Sequence, residues 1–275
     1  MFTEERLIRF ALEEDIGPGD VTTDGLIDTD QTAGARIVAK EPLVLAGLEL
    51  AHGVFTILDA TVRFQTAFKD GERVQAGDEV AAVSGKLHAL LTGERTALNF
   101  LQRLSGIATL TRVFVDKTEG FKVRLTDTRK TTPGWRKLEK YAVRMGGARN
   151  HRFGLYDGVL IKDNHIKACG GISKTVQRLR QYKGHLLRIE VEVTNFEEIA
   201  EALENHVDVI MLDNMDLGEV KKAVRLINGQ ALVEVSGGVA LDTVADLAAT
   251  GVDIISAGAL THSARAVDMS MEIID

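Results

Sequence analysis

LLRIEVEVTNFEEIAEALENHVDVIMLDNMDLGEVKKAVRLINGQALVEVSGGV, residues 186–239, alternates β-rich apolar runs with amphipathic ones. Leu186–Val193, Val207–Leu212 and Ala231–Val235 are short and rich in Val and Ile. Phe196–Asn205 and Leu217–Asn228 between them keep apolar residues three and four apart, the spacing of a half-buried helix. Strands alternating with helices predict parallel strands joined by right-handed crossovers. Working outward, Lys122–Thr126, Gly158–Ile161 and Val252–Ser256 add three strands, and Ser173–Tyr182 and Leu241–Thr250 add helices.

The strand ends decide the architecture. Each finishes in a reactive or glycine-rich group: Asp127–Lys130, Lys162–His165, Glu190 and Glu192, Asp213–Asn214, Ser236–Gly238 and Ala257–Ala259. An open doubly wound sheet focuses its ligands at one switch point, whereas a barrel gathers chemistry from the C-terminal ends of many strands. Six clear strands predict a parallel α/β barrel that is incomplete.

Upstream, residues 3–15 carry a helical stripe that Gly17, Pro18 and Gly19 end, and Ala35–Leu45 and Val62–Phe68 read as strands. KDGERVQAGDEVAAVSGKLHALL (69–91) reads as short strands joined by glycine turns. It distantly resembles biotin or lipoate carrier folds, which would need Lys86 on a hairpin tip; a plain β module is the favoured reading. From Gly93 to about Glu119 the spacing becomes helical, with a break expected near Gly106 and a domain boundary inside the helix.

The chain has 275 residues, a formal charge of −7 and one cysteine, Cys169. A single cysteine excludes an intrachain disulfide and a cysteine-based zinc site. The apolar runs are too short for a transmembrane helix, and the start lacks a signal-peptide pattern. A cytoplasmic setting is expected, with neither membrane nor nucleic acid as partner. Against this acidity, residues 124–152 hold nine cations (Arg124, Arg129, Lys130, Arg136, Lys137, Lys140, Arg144, Arg149, Arg152) and two acids, Asp127 and Glu139. A basic island in an acidic chain points to an anionic ligand. Arg129, Lys130, Arg152 and Lys162 fall at or near strand ends. Arg136, Lys137, Lys140 and Arg144 fall on a helical pattern and are expected to face solvent.

SGGV (236–239) and SAGALTHS (256–263) follow the last two strands, where barrels commonly bind phosphate through backbone N–H groups. Glu192 and Asp213 form a carboxylate pair able to hold Mg²⁺ through water, bond ribose hydroxyls or stabilise a developing cation. Glu190 and Glu192 alternate by two and point to one side of their strand. His151 and His165 read as donors or as structural groups. Residue chemistry alone thus reaches a phosphate-bearing anion in a barrel mouth, without naming a reaction.

TDTRKTTPGWRKLEKYAVRMGGARNHRFGLYDGVLIKDNHI (126–166) closely resembles the quinolinate phosphoribosyltransferase family. EDIGPGDVTT (14–23), LTGERTALNFLQRLSGIAT (91–109), EVEV (190–193), MLDNM (211–215), EVSGGV (234–239) and ISAGALTHS (255–263) extend the resemblance along nearly the whole chain. It implies an N-terminal α/β sandwich domain over 1–110 with the connecting helix, then an incomplete barrel of six or seven strands over 111–275. The last residues would pack back on the first domain.

The implied activity joins quinolinate to phosphoribosyl pyrophosphate with Mg²⁺, giving nicotinate mononucleotide, pyrophosphate and CO₂ in NAD biosynthesis. Arg129 and Arg152 would grip the quinolinate carboxylates beside Thr128 and His151, and Arg95 would come from the other chain of a homodimer or larger homo-oligomer. Lys130 and Lys162 would meet substrate anions, with Glu192 and Asp213 facing the ribose and its metal. Ser236, Gly237, Gly238, Ala257, Gly258, Ala259 and His262 would hold the 5′-phosphate. Met145 and the Ala148–Arg149 pair depart from the family pattern. A relative encoded with molybdate transport genes, or a non-enzymatic carrier, is the alternative.

Overall fold

The computed structural model describes residues 4–182 and 184–274. The chain begins with α1 (Glu4–Ile16), α2 (Val21–Leu26), β1 (Thr32–Ala39), β2 (Leu43–Val44), α3 (Leu48–Leu58), β3 (Arg63–Gln65), β4 (Arg73–Val74), β5 (Glu79–Lys86) and α4 (Leu87–Lys117). It continues through β6 (Arg124–Thr126), α5 (Arg136–Met145), β7 (Val159–Ile161), α6 (Asp163–Cys169), α7 (Ile172–Tyr182), β8 (Ile189–Val193), α8 (Phe196–Glu204) and β9 (Val209–Asp213). It ends with α9 (Leu217–Ile227), β10 (Leu232–Ser236), α10 (Val244–Ala248), β11 (Ile254–Ser256), α11 (Ala259–His262) and β12 (Met269–Ile274). No helix is long and apolar enough to cross a membrane among these residues.

Two compact units emerge. The first draws on the described residues of Met1–Arg112, Lys137–Gly147 and Ala264–Asp275. Its four-stranded sheet runs β12-β1-β5-β3, antiparallel throughout. Ala35 and Ile37 of β1 face Val83 and Ala81 of β5, and all four are buried at alternate positions, as a one-sided sheet requires. Helix α4 buries Leu98, Leu101, Leu104 and Ile107. On its other contacts, Ser105 and Thr109 hydroxyls accept the backbone N–H groups of Ala46 and Val44 at 3.0 and 2.8 Å. These bonds satisfy backbone around the two-residue strand β2, whose partner is β4.

The helix starts at Leu87 rather than Gly93 and runs unbroken past Gly106. Leu87, Ala89 and Leu90 are buried, so packing carries the early turn. Gly106 serves close approach instead of a break: a Cβ there would sit 2.0 Å from the Arg265 carbonyl oxygen. Lys86 ends β5 directly against the helix, so it stands on no hairpin tip and the carrier reading loses its premise.

The expectation of a solvated α5 is also corrected at its centre. Lys140 and Glu139 are buried, and Glu139 pairs with Arg103 at 3.2 Å. Tyr141 donates to Asp70 at 2.6 Å, the carboxylate that also accepts the Gly47 amide ahead of α3. From Lys137 to Gly147 this segment belongs to the first unit, so the helix has packed faces that its charge pattern alone does not reveal.

The second unit takes Val113–Arg136 and Ala148–Ser263. Its six parallel strands follow the order β6-β11-β10-β9-β8-β7. Chain order thus runs round the sheet and returns to β6 beside β11, the connectivity of a barrel with one seam between β6 and β7. Residues near Arg149 occupy the β6 side of that seam. Arg149 donates its N–H to Leu125 and accepts the Asp127 N–H, making a single parallel bridge to Thr126. A lone bridge in place of a seventh strand leaves the barrel incomplete. Between strands, Asn195 and Asp216 accept the Glu198 and Glu219 amides and start α8 and α9.

Candidate active site

Period-two alternation turns Glu190 and Glu192, Met211 and Asp213, and Glu234 and Ser236 inward in pairs from β8, β9 and β10. The outer member of each pair reaches a cavity of about 540 Å³ at the C-terminal strand ends. Eleven expected residues line it: Thr128, Arg129, Lys130, His151, Arg152, Lys162, Glu192, Asp213, Ser236, Gly237 and Gly238. Leu160, Met211, Asn214 and Ser256 also line it. Leu160 and Met211 lie two residues before Lys162 and Asp213, so alternation could have found them; chemical type gave no signal.

Ala257, Gly258, Ala259 and His262 follow β11 and are not among the lining residues. Their segment nevertheless adjoins the basic strand end, because Thr261 Oγ1 donates to the Lys130 carbonyl at 2.7 Å. Arg95 lies on α4 in the first unit and is likewise absent from the cavity lining. Both helices after the expected phosphate loops are short, Val244–Ala248 and Ala259–His262. Any anion there would depend more on loop N–H groups than on a long helix dipole.

The cations are held in different ways. Lys162 Nζ lies 2.6 Å from Glu192 Oε2, with the carboxylate largely buried and the ammonium half-exposed. The Lys162 backbone N–H donates to His165 Nδ1 at 2.9 Å, which places His165 in the turn opening α6. Arg152 donates to the Gly158 carbonyl at 3.0 Å. Burial, followed by the Arg129 guanidinium, pulls the Arg152 pKa below its ordinary value. Arg129 Nε is buried and has no hydrogen-bond partner in the protein. Two guanidinium groups brought together with an orphaned donor fit an anion able to receive their N–H groups.

On the opposite strand ends, Asn214 donates to Asp213 Oδ2 at 2.9 Å from a left-handed backbone with φ of 56°. Gly237 and Gly238 are also left-handed. Asn214 accepts no slack from this turn, since its N–H donates to the Ser236 carbonyl at 3.1 Å. Glu192 and Asp213 supply hard oxygen donors at the cavity, the donor type suited to Mg²⁺ with bound water or substrate oxygens.

A family model for the C-terminal domain of quinolinate phosphoribosyl transferase matches residues 107–272, and the N-terminal domain model matches 20–105. The chain belongs to the quinolinate phosphoribosyltransferase family. It is 49% identical over 266 residues to a probable nicotinate-nucleotide pyrophosphorylase [carboxylating] of Synechocystis, covering 96% of this chain and 90% of that protein. A Bacillus subtilis protein of the same description is 44% identical over 98% of this chain and 93% of its own length. The solved nicotinate-nucleotide pyrophosphorylase of Francisella tularensis matches with a TM-score of 0.95 and 39% identity, covering 98% of this chain and 96% of that one. Similarity along nearly the whole chain to relatives described as nicotinate-nucleotide pyrophosphorylases favours the phosphoribosyltransferase over the transport-linked and carrier alternatives.

Proposed function

We propose that the chain transfers a phosphoribosyl group from phosphoribosyl pyrophosphate to quinolinate with loss of CO₂, forming nicotinate mononucleotide and pyrophosphate for NAD biosynthesis. The observation that carries this reading is the meeting of Arg129, with its orphaned Nε, Arg152, Lys130 and Lys162 with Glu192 and Asp213 in one cavity. The arginines receive the pyridine dicarboxylate, and their planar forks orient it. Lys130 and Lys162 balance the other substrate's anionic groups. The 236–238 turn receives the 5′-phosphate on its N–H groups, with the 257–262 segment beside it.

As the bond from ribose C1 to pyrophosphate breaks, its electrons leave with the pyrophosphate and positive charge grows on the sugar. Glu192 and Asp213 stabilise that charge, while the quinolinate nitrogen supplies the pair for the new C–N bond. Holding the reactants in register removes much of the orientational barrier. The ring nitrogen is then cationic and takes up the electrons released when the adjacent C–CO₂ bond breaks; a proton replaces CO₂ at that carbon. Glu192 and Asp213 would hold Mg²⁺ together with substrate oxygens, and the ion when bound would supply charge neutralisation for the leaving pyrophosphate.

The working unit is a homodimer or larger homo-oligomer in the cytoplasm, with Arg95 of one subunit completing the other's site. Incubation with quinolinate, phosphoribosyl pyrophosphate and Mg²⁺ tests the reaction: folded protein that yields neither nicotinate mononucleotide nor CO₂ would sink it. Mixing inactive Arg95→Ala and Lys162→Ala chains tests the sharing. Activity should recover through hybrid dimers, and its absence after verified subunit exchange counts against a shared site.

A further inference from the structure

Beneath the cavity lies a second inward layer that the proposed reaction does not use. Glu190 and Glu234 are buried at 7% and 2% exposure, and both approach His151. His151 Nε2 lies 3.2 Å from Glu190 Oε2 and 3.5 Å from Glu234 Oε1. Ser256 Oγ donates to Glu234 Oε1 at 2.5 Å, whereas Glu190 Oε1 is buried without a partner.

The charge state of the histidine follows from its other nitrogen. The Arg152 backbone N–H points at His151 Nδ1 from 2.8 Å. A backbone N–H only donates, so Nδ1 must present a lone pair. The ring is therefore neutral, its proton sits on Nε2, and it faces the carboxyl pair as a donor. A neutral imidazole cannot compensate two buried carboxylates, and like charges this close do not both ionise.

We propose that the buried Glu234 carboxyl holds a proton against Glu190 and that this pair, through His151, positions Arg152 for its anionic substrate. This rests on the phosphoribosyltransferase reading for the substrate's identity. The pair then carries one negative charge, enough to fix His151 as a donor without cancelling the charge of Arg152 and Arg129 above. The His151 backbone N–H donates to Asp127 Oδ1 at 2.9 Å, and Asn150 Nδ2 donates to Asp127 Oδ2 at 2.7 Å. Arg152 thus stands at the end of a backbone segment held from both sides.

Loss of that proton would add a second negative charge near Arg152 and weaken its grip on a dianion. Burial first, then the neighbouring Glu190, pushes the Glu234 pKa up to about 8 against the pull of a charged His151 and the Ser256 hydroxyl; the neutral ring that the Arg152 N–H requires removes the first of these opposing pulls and leaves the upward direction intact. Other charges face this layer. Arg129 and Asp157 act on Arg152, and Arg124, Arg149 and Arg188 line the opening on the opposite side of the pair. Asp127 is a third buried carboxyl against His151, held by the His151 backbone N–H and Asn150 Nδ2, and it is common to the wild type and Glu234→Gln.

The test is quinolinate affinity and KM against pH for the full-length wild type and Glu234→Gln, whose amide imitates the neutral carboxyl. Wild-type affinity should fall by up to about tenfold per pH unit once the Glu234 proton is lost, and Glu234→Gln should stay within about twofold over the same interval. A purely structural role would shift both proteins by a constant factor and leave the limb in place; an unchanged limb overturns the proposal. Wild-type turnover at neutral pH checks the reaction separately, so failure of that reading is distinguishable. If Glu234→Gln fails to fold, infrared spectra of wild type labelled with ¹³C-glutamate replace it. A protonated carboxyl band that disappears along the affinity limb supports the proposal, and no such band overturns it. Thermal stabilisation by added Zn²⁺ in the wild type, lost in Glu234→Gln, would also overturn it, because the trio would then hold a cation instead of a proton.

Discussion

Gly237→Ala is expected to damage turnover far more than Gly238→Ala, although both glycines are left-handed. Gly237 has φ of 85° and Gly238 has φ of 61°. A side chain at either position costs about 1 kcal/mol for the backbone alone. Only Gly237 adds a collision: its Cβ would lie 2.2 Å from Asn214 Oδ1 and 3.1 Å from the Asn214 backbone nitrogen, whereas Gly238 has nothing within 4 Å. Relief requires Asn214 to move, and Asn214 is bonded to the Asp213 carboxylate at 2.9 Å. Overpacking contributes about 1 kcal/mol at its lower end, and loss of a partly exposed hydrogen bond about 1 kcal/mol more. Together with the backbone cost this gives about 3 kcal/mol, or about two orders of magnitude in kcat/KM for phosphoribosyl pyrophosphate if the displacement reaches the reacting groups. Gly238→Ala should lose about fivefold. Steady-state kinetics, with thermal melts to establish that both variants are folded, decide the matter. A Gly238→Ala loss as large as that of Gly237→Ala would refute the coupling between the turn and Asp213.

Three further outcomes follow from the same geometry. Arg129→Lys removes a planar fork while keeping the charge, and should raise the quinolinate KM by at least about tenfold with a smaller change for the other substrate; equal effects on both would count against the assignment. Gly106→Ala should destabilise the protein by about 2 kcal/mol or more in urea denaturation, because helix propensity returns only about 1 kcal/mol against a backbone approach of 2.0 Å; a variant as stable as wild type would refute the packing argument. Glu234 is neutral in the fold up to about pH 8, whereas its unfolded counterpart ionises above about 4.5. The unfolded state therefore binds fewer protons across that window, and this residue's contribution to stability falls as pH rises through it. Glu234→Gln should gain stability relative to wild type from acid to mildly alkaline pH, and a constant difference would contradict the shift.

Much of the barrel was legible from residues 186–239 because strand and helix periods differ and each run is long enough to display one. Helix α6 was less visible: Lys162–His165 read as a strand end, but the Lys162–His165 hydrogen bond opens a helical turn at once. Helix α3 gave no separate signal beside the β-rich runs around it. Lys140 shows why charge pattern misled on α5. A helix can bury a cation when neighbouring elements supply partners, and nothing in a local period announces those neighbours.

The site divides along the same line. Sequence determined the chemical inventory at the strand ends: the cations near 129, 152 and 162, the acids at 192 and 213, and the small residues at 236–238. Each is a local property, fixed by residue type and by the two-residue period that sends alternate side chains inward. Only the tertiary structure decided that Glu190, Glu234 and His151 meet in a layer below. Their strands are separated by long stretches of chain, and sheet order and register, rather than spacing along the sequence, bring their polar atoms within reach.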